Sequence, residues 1–381
     1  MDYDVAIIGA GPAGSTCAAH CAQAGWRTLL IEKARFPRDK VCGDCVNPAC
    51  WPVLDRLGVS ERVRAQPHAQ LAEVAFVSPR GRVLRLPLPP SDRGEIAIPR
   101  RLLDAVLLDR ARELGAEVHE DAPLTALEKG WRLQTTRGAF SARYLIAADG
   151  RNSTVARLLG LLPAAAKDRI GLQAHLPRPS EMRGRVAMHF LPFGYCGMND
   201  VGNDLFNLCL VARPEHLPDL KAWAGSRFPI PADVAWRTIT PLSRAPISTV
   251  HENLLIIGDA ARVVEPFTGE GIYYALASGE LAARHLLAED LPGFAAAHAR
   301  MYRGRLWINE LARAAVLRPW LADGILEFAH LFPQALQYLT SKVIGPAAGG
   351  EVAAKTVQAE TVGKNAEAQR RREKTKRGTT D

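Results

Sequence analysis

The sequence predicts an α/β fold in which a nucleotide-binding layer is interrupted by a β-rich insertion, and three observations carry that prediction. Strand-like and helix-like segments alternate from the N-terminus. A glycine turn, GAGPAG at 9–14, stands between the first strand and the first helix. Two later strands end in an Asp-Gly or a Gly-Asp turn, which sets carboxylates at the strand ends where α/β sheets bind ligands.

Residues 2–33, DYDVAIIGAGPAGSTCAAHCAQAGWRTLLIEK, read as strand, turn, small-residue helix and a second strand ending in an acid. The patterning predicts strands over 4–8, 27–31, 116–119, 131–136, 143–148 and 253–257, and helices over 12–24, 48–57, 101–114, 152–159 and 271–287. Residues 72–90 read as a hairpin about Pro79-Arg80-Gly81. The runs IGLQAHL, GRVAMHFL and LFNLCLV within 168–248, separated by Pro and Gly, read as further strands of the same inserted sheet. Residues 300–346 are helical and amphipathic in pattern. The expected organisation is a discontinuous nucleotide domain (1–70, 97–164 and 250–299), a β-sheet substrate domain (71–96 and 165–249), C-terminal helices (300–350) and a basic, unstructured tail (351–381).

The chain has 381 residues, 48% of them hydrophobic, enough to bury a large core. Half of its net charge of +8 is tail, because residues 364–381 hold seven basic and three acidic side chains. The remaining charges are mixed, with no basic stripe interleaved with aromatics, which argues against nucleic-acid binding. Asp2 and Asp4 stand where a secretory signal carries basic residues, and no apolar run reaches the roughly 18 residues of a membrane helix. Seven cysteines in this setting read as reduced thiols, and the expected location is cytoplasmic. Cys42 and Cys45 form a C-x-x-C, but no second pair follows, so no metal site is expected.

In the glycine turn, Gly9 permits the tight exit from the strand, Gly11 lets a pyrophosphate approach the backbone, and Gly14 lets the helix pack close to the sheet. The helix N-terminus then offers N–H groups and a positive dipole end to phosphates. Glu32, 18 residues after Gly14, ends the second strand, where a carboxylate accepts ribose hydroxyls and repels a 2′-phosphate.

The two later turns are YLIAADGRNSTVARLL at 144–159 and NLLIIGDAARVVEPFTGEGIYYALASGELAARHLL at 253–287. Together, Gly9 to Gly14 with Glu32, Asp149-Gly150 with Ser153 and Arg157, and Gly258-Asp259 with Pro266 and Gly269-Glu270-Gly271 resemble the three fingerprints of the FAD-dependent hydroxylase and reductase superfamily related to para-hydroxybenzoate hydroxylase. PRRLLDAVLLDRARELGAEV at 99–118 resembles the segment whose arginine, here Arg100, lies near the flavin. VCGD at 41–44 and PFTGEGIYYALASGELAA at 266–283 are most similar to the geranylgeranyl reductase family. The resemblance implies a Rossmann-like FAD-binding domain with an inserted antiparallel sheet and a helical C-terminal region. It implies a cofactor site at Gly9, Gly11, Pro12, Ala13, Gly14, Glu32, Lys33, Arg100 and Leu124, continued by Asp149, Gly150, Gly258, Asp259, Gly269, Glu270, Gly271 and Ile272. If Asp259 accepts the ribityl hydroxyls, the start of the helix after Gly269 points its dipole at the flavin and favours the anionic reduced ring.

One dinucleotide fingerprint leaves no second domain for a nicotinamide, so NAD(P)H or a small electron carrier is expected to visit transiently. Two enzymatic readings follow. A reductase delivers hydride to an activated double bond of a hydrophobic substrate while a nearby acid gives the proton, and a monooxygenase activates oxygen in a water-excluding pocket. A third reading is an electron-transfer protein without a substrate. Cys42 resembles the cysteine beside the flavin in geranylgeranyl reductases, and Arg38 and Lys40 flank it closely enough to lower its pKa on turning inward. Tyr195 and His189 are further candidate proton donors facing the pocket. GYCGMND at 194–200 keeps the tyrosine of the family's Tyr-x-Trp-x-Phe-Pro stretch but has Gly197, Asn199 and Asp200 at the other three positions, which leaves the substrate open. The C-terminal helices and basic tail are a candidate peripheral membrane contact.

Overall fold

Strand Tyr3–Ile8 lies at the centre of a parallel sheet, flanked by Thr28–Ile31 and Gly138–Ala147 in register Ile7 to Leu30 and Ile7 to Ile146. Leu254–Ile256 and Glu117–His119 extend it on either side, Val250–His251 adds an antiparallel edge, and Leu124–Glu128 with Arg132–Thr135 fold back onto the long Gly138–Ala147 strand. The structure, a computed structural model, describes residues 1–165 and 169–331. The expected basic tail and the end of the expected helical region lie outside the described residues.

Helices Pro12–Gln23 and Gly271–Leu287 pack on this sheet and on each other. Their approach depends on small residues, since a Cβ at Gly279 would lie 2.3 Å from the Ala13 carbonyl oxygen. Arg100–Glu113 lies alongside and shares the core of Val5, Ile7, Leu30, Leu103, Leu107 and Leu276.

The inserted sheet has seven strands in the order Arg237–Ile239, Ile170–Pro177, Leu205–Ala212, Gly194–Gly202, Arg185–Leu191, Glu73–Val77 and Val83–Pro87. It is antiparallel except where Arg185–Leu191 runs parallel to Glu73–Val77, a pairing across more than 100 residues that joins the hairpin to the later strands. One face packs Leu172, Ala174, Cys196, Leu208 and Leu210 under helix Leu217–Gly225. The other carries Met188, Phe190, Tyr195 and Val211 at one end, covered by helices Leu306–Leu317 and Pro319–Leu331. On that same face, by the two-residue period and the register of His175 with Asn207 and Gln173 with Cys209, lies a polar end.

Candidate active site

A cavity of about 680 Å³ runs between the parallel sheet and the second face of the inserted sheet. Gly9 leaves the first strand with φ +102°, a conformation open to glycine, and a Cβ there would lie 2.6 Å from the Ala148 carbonyl oxygen. A Cβ at Gly14 would meet the Gly9 carbonyl oxygen at 1.8 Å, so the helix start sits directly on the turn. Gly11 is the N-cap and no side chain caps the helix, which leaves its first N–H groups to a ligand. Pro12 and Ala13 line the cavity beside Gly11, while Gly14 is a packing position.

Glu32 is buried. Its Oε2 accepts the Ala10 N–H at 2.8 Å, its Oε1 accepts the Ala34 N–H at 3.1 Å, and Arg38 Nε lies 3.6 Å from Oε1. The carboxylate is thus fixed at the cavity wall with lone pairs remaining for a ribose. Lys33, Leu124, Gly150, Gly258, Gly269, Gly271 and Ile272 line the same cavity. Asp149 Oδ2 accepts the Thr154 and Val155 N–H groups at 2.6 and 3.2 Å, so this carboxylate serves the short helix Thr154–Leu158. Its Oδ1 is buried with no partner, and burial raises its pKa against those bonds. Asp259 faces the cavity and accepts from Arg151 Nη2 at 3.0 Å. Glycine-lined backbone, an uncapped helix start, an anchored acid and an orphaned acceptor fit the phosphates and sugar hydroxyls of a dinucleotide.

Cys42 and Tyr195 both line the cavity. The Cys42 carbonyl accepts Gln173 Nε2 and Asn207 Nδ2, each at 2.8 Å, which pins the loop to the polar end of the inserted sheet. The charge with the largest effect on its thiol is the Arg100 guanidinium, which is held by a bidentate pair with Asp104 at 2.7 and 2.8 Å. Burial pushes the thiol pKa up, and the Arg100 charge opposes it. The cation at the thiol is therefore Arg100, whereas Arg38 bridges Glu32 and Asp104. Tyr195 is buried with its ring edge-on to Phe267 at 5.8 Å, and burial raises its pKa well above the ordinary phenol value.

Two expectations are corrected. His189 does not face the cavity. Met188 and Phe190 do, so alternation turns His189 to the opposite face, 5.4 Å from the Trp223 ring, where burial lowers its pKa to about 4. Glu270 is not in the cavity wall either; it is buried against Arg305 Nη1 at 2.7 Å and Asn309 Nδ2 at 3.2 Å, and it ties helix Leu306–Leu317 to the glycine turn. The residues that sequence reasoning missed are Asp44, Gln173, His175 and Asn207. Their signal was the two-residue spacing of polar side chains, Gln173 with His175, in an otherwise apolar strand.

A dinucleotide cradle opening onto an apolar chamber beside a loop thiol defines an FAD-dependent oxidoreductase, and residues 2–190 match the family described as FAD binding domain. Menaquinone reductase of Mycobacterium tuberculosis is 32% identical over 354 residues, covering 81% of this chain and 79% of that one. Digeranylgeranylglycerophospholipid reductase of Methanosphaerula palustris is 31% identical over 314 residues, 74% of this chain and 76% of that one. Conditioned medium factor receptor 1 of Dictyostelium discoideum is 28% identical over 75% of this chain, which spans 63% of that relative's length. The flavin-dependent brominase Bmp2 shares the fold, with TM-score 0.69 and 19% identity over 95% of this chain and 99% of that one. The chain belongs to the geranylgeranyl reductase family of FAD-dependent oxidoreductases.

Proposed function

We propose that this protein is an FAD-dependent reductase that saturates a carbon–carbon double bond, or reduces a quinone ring, in a hydrophobic substrate. The observation that carries the reading is the continuity of one cavity from the glycine cradle, past Cys42, to an apolar chamber of Phe76, Met188, Phe190, Ile308 and Leu326. Reduced FAD supplies two electrons as hydride, and a dinucleotide or small electron carrier restores them. The chain's own residues bind the cofactor through Gly9, Gly11, Glu32 and Asp259 and exclude water with the apolar wall. Cys42 provides the proton and Arg100 stabilises the thiolate left behind. Tyr195 shapes the chamber floor against Phe267.

The test is single-turnover oxidation of the FAD-loaded, pre-reduced protein under anaerobic conditions, with menaquinone and a geranylgeranyl lipid as probes. We expect rapid oxidation by one of them, retained FAD but lost turnover in Cys42→Ser, and near-normal turnover in Cys45→Ser. Failure of both probes, together with oxygen use coupled to hydroxylation of an aromatic compound, would replace the reductase with a monooxygenase.

We further propose that the last two helices among the described residues, Leu306–Leu317 and Pro319–Leu331, meet a membrane surface. Trp307 and Trp320 are 50% and 69% exposed on the same helices that turn Ile308 and Ile325 to the cavity. No helix among the described residues is long and apolar enough to cross a membrane. Co-sedimentation with anionic vesicles that is equal for wild type and a Trp307→Ser, Trp320→Ser variant would remove this contact.

A further inference from the structure

The polar end of the inserted sheet has no part in holding a dinucleotide, yet four of its side chains converge on the short loop that carries Cys42. Gln173 and Asn207 grip the Cys42 carbonyl. His175 Nε2 lies 2.7 Å from Asp44 Oδ2, and Gln173 Nε2 lies 3.4 Å from the same oxygen. Arg237 reaches Asp39 at 2.6 Å and closes the other end of the loop. Asp44 is completely buried and takes φ +60°, a strained conformation that aspartate and asparagine tolerate better than most residues. Its Oδ1 accepts the Arg100 N–H at 3.2 Å, and its carbonyl accepts the Ile98 N–H at 2.9 Å. A wholly buried carboxylate two residues from a thiol, held by donors from the inserted sheet and from the start of helix Arg100–Glu113, is costly unless the charge has a use.

We propose that Asp44 and His175 form a positioning pair that holds the Cys42 loop on the sheet and keeps the Cys42 side chain as a neutral thiol. The inference rests on the reading of Cys42 as the proton donor, for which the thiol must carry its proton at rest. Asp44 stands two residues from the thiol and its charge disfavours the thiolate, while the Asp44 backbone N–H and the Arg100 charge favour it. The charged groups that act on the thiol are Asp44 from its own loop and Arg100, paired with Asp104, from helix Arg100–Glu113. The Cys45 and Cys209 thiols lie nearby and burial raises the pKa of both, with Cys209 Sγ donating to the Cys42 carbonyl at 3.6 Å. Burial raises the Asp44 pKa, and the hydrogen bond from His175, whose side chain is 18% exposed, is the largest effect opposing that rise.

The experiment uses the FAD-loaded protein and needs no substrate. The rate of Cys42 alkylation by iodoacetamide is followed against pH, with the labelled peptide quantified by mass spectrometry. Asp44→Asn retains a residue suited to positive φ and removes only the charge. It should move the alkylation midpoint down by about one pH unit, which at neutral pH is roughly a tenfold faster reaction. His175→Ala should move it the same way, because an unpaired buried Asp44 takes up a proton, whereas His175→Gln keeps a donor and should return it toward wild type. A midpoint unchanged in both Asp44→Asn and His175→Ala, with FAD retained, would overturn the proposal. Shifted midpoints in a protein that oxidises with neither menaquinone nor a geranylgeranyl lipid would instead count against the reductase reading and leave this pair in place.

Discussion

Glu270 and Arg305 meet at 2.7 Å with both side chains buried, and Asn309 completes the cluster by donating to Glu270 Oε2 at 3.2 Å. The pair joins the segment that opens helix Gly271–Leu287 to the helix that roofs the apolar chamber. Removing one partner leaves the other charge desolvated, so Glu270→Ala should lower unfolding stability by about 3–5 kcal/mol, read from urea midpoints at saturating FAD. A Glu270→Met, Arg305→Met double variant should lie closer to wild type than either single change. If each single substitution costs no more than a surface salt bridge does, the cluster is not the clamp described here.

Much of the nucleotide-binding layer was legible because its signals are local. The alternation of apolar residues, GAGPAG and the spacing to Glu32 predicted strands and a helix that the structure places within a residue or two, as with Pro12–Gln23 and Thr28–Ile31. The hairpin of Glu73–Val77 and Val83–Pro87 was legible for the same reason, but its parallel pairing with Arg185–Leu191 was not, since no local pattern specifies a partner so distant in sequence. His189 was misplaced because a histidine suggests chemistry, although its neighbours Met188 and Phe190 already assigned it to the opposite face. Glu270 lies inside a motif that resembles a flavin-binding turn, and only the fold brings Arg305 to it. Nothing local to VCGD gives Asp44 a task, because its partner His175 arrives from 131 residues away.

The anchoring of Glu32 separates two effects of its removal. Glu32→Ala should weaken FAD binding by about 1.5–3 kcal/mol, the range for a hydrogen bond to a charged group. It should also destabilise the apoprotein, since the Ala10 and Ala34 N–H groups lose their acceptor. Glu32→Gln keeps one acceptor and should fall between. Equilibrium titration with FAD, alongside urea unfolding of the apoprotein, measures the two separately, and an unchanged FAD affinity would mean that this carboxylate does not contact the ribose.

Glu95 sets a pH dependence of opposite sign to the usual carboxylate. Burial raises its pKa from 4.5 to about 7, so the folded protein retains a proton that the unfolded chain releases. Its contribution is complete below the unfolded value and is lost as pH rises through about 7. Wild type should therefore lose stability over that interval relative to Glu95→Gln, which carries no titrating group there. Urea midpoints for the two proteins that run parallel across this interval would place the carboxyl in water.

The depth of the chamber should decide which substrates turn over. Ala315, on helix Leu306–Leu317, lies in the chamber wall with Met188, Phe190 and Leu242, away from Gly9, Glu32 and Asp259. Ala315→Phe would fill space there at a packing cost of about 1–3 kcal/mol without touching the cradle. The variant should bind FAD normally and be reduced normally. Its single-turnover oxidation by menaquinone, whose isoprenoid tail would occupy the chamber under the proposed function, should fall by about tenfold or more, the equivalent of 1.4 kcal/mol. Oxidation by menadione, which has the same ring and no tail, should change much less. A similar loss with both quinones would mean that the substitution disturbs the ring position, and no loss with either would mean that the tail leaves by another route and the chamber is not the substrate site.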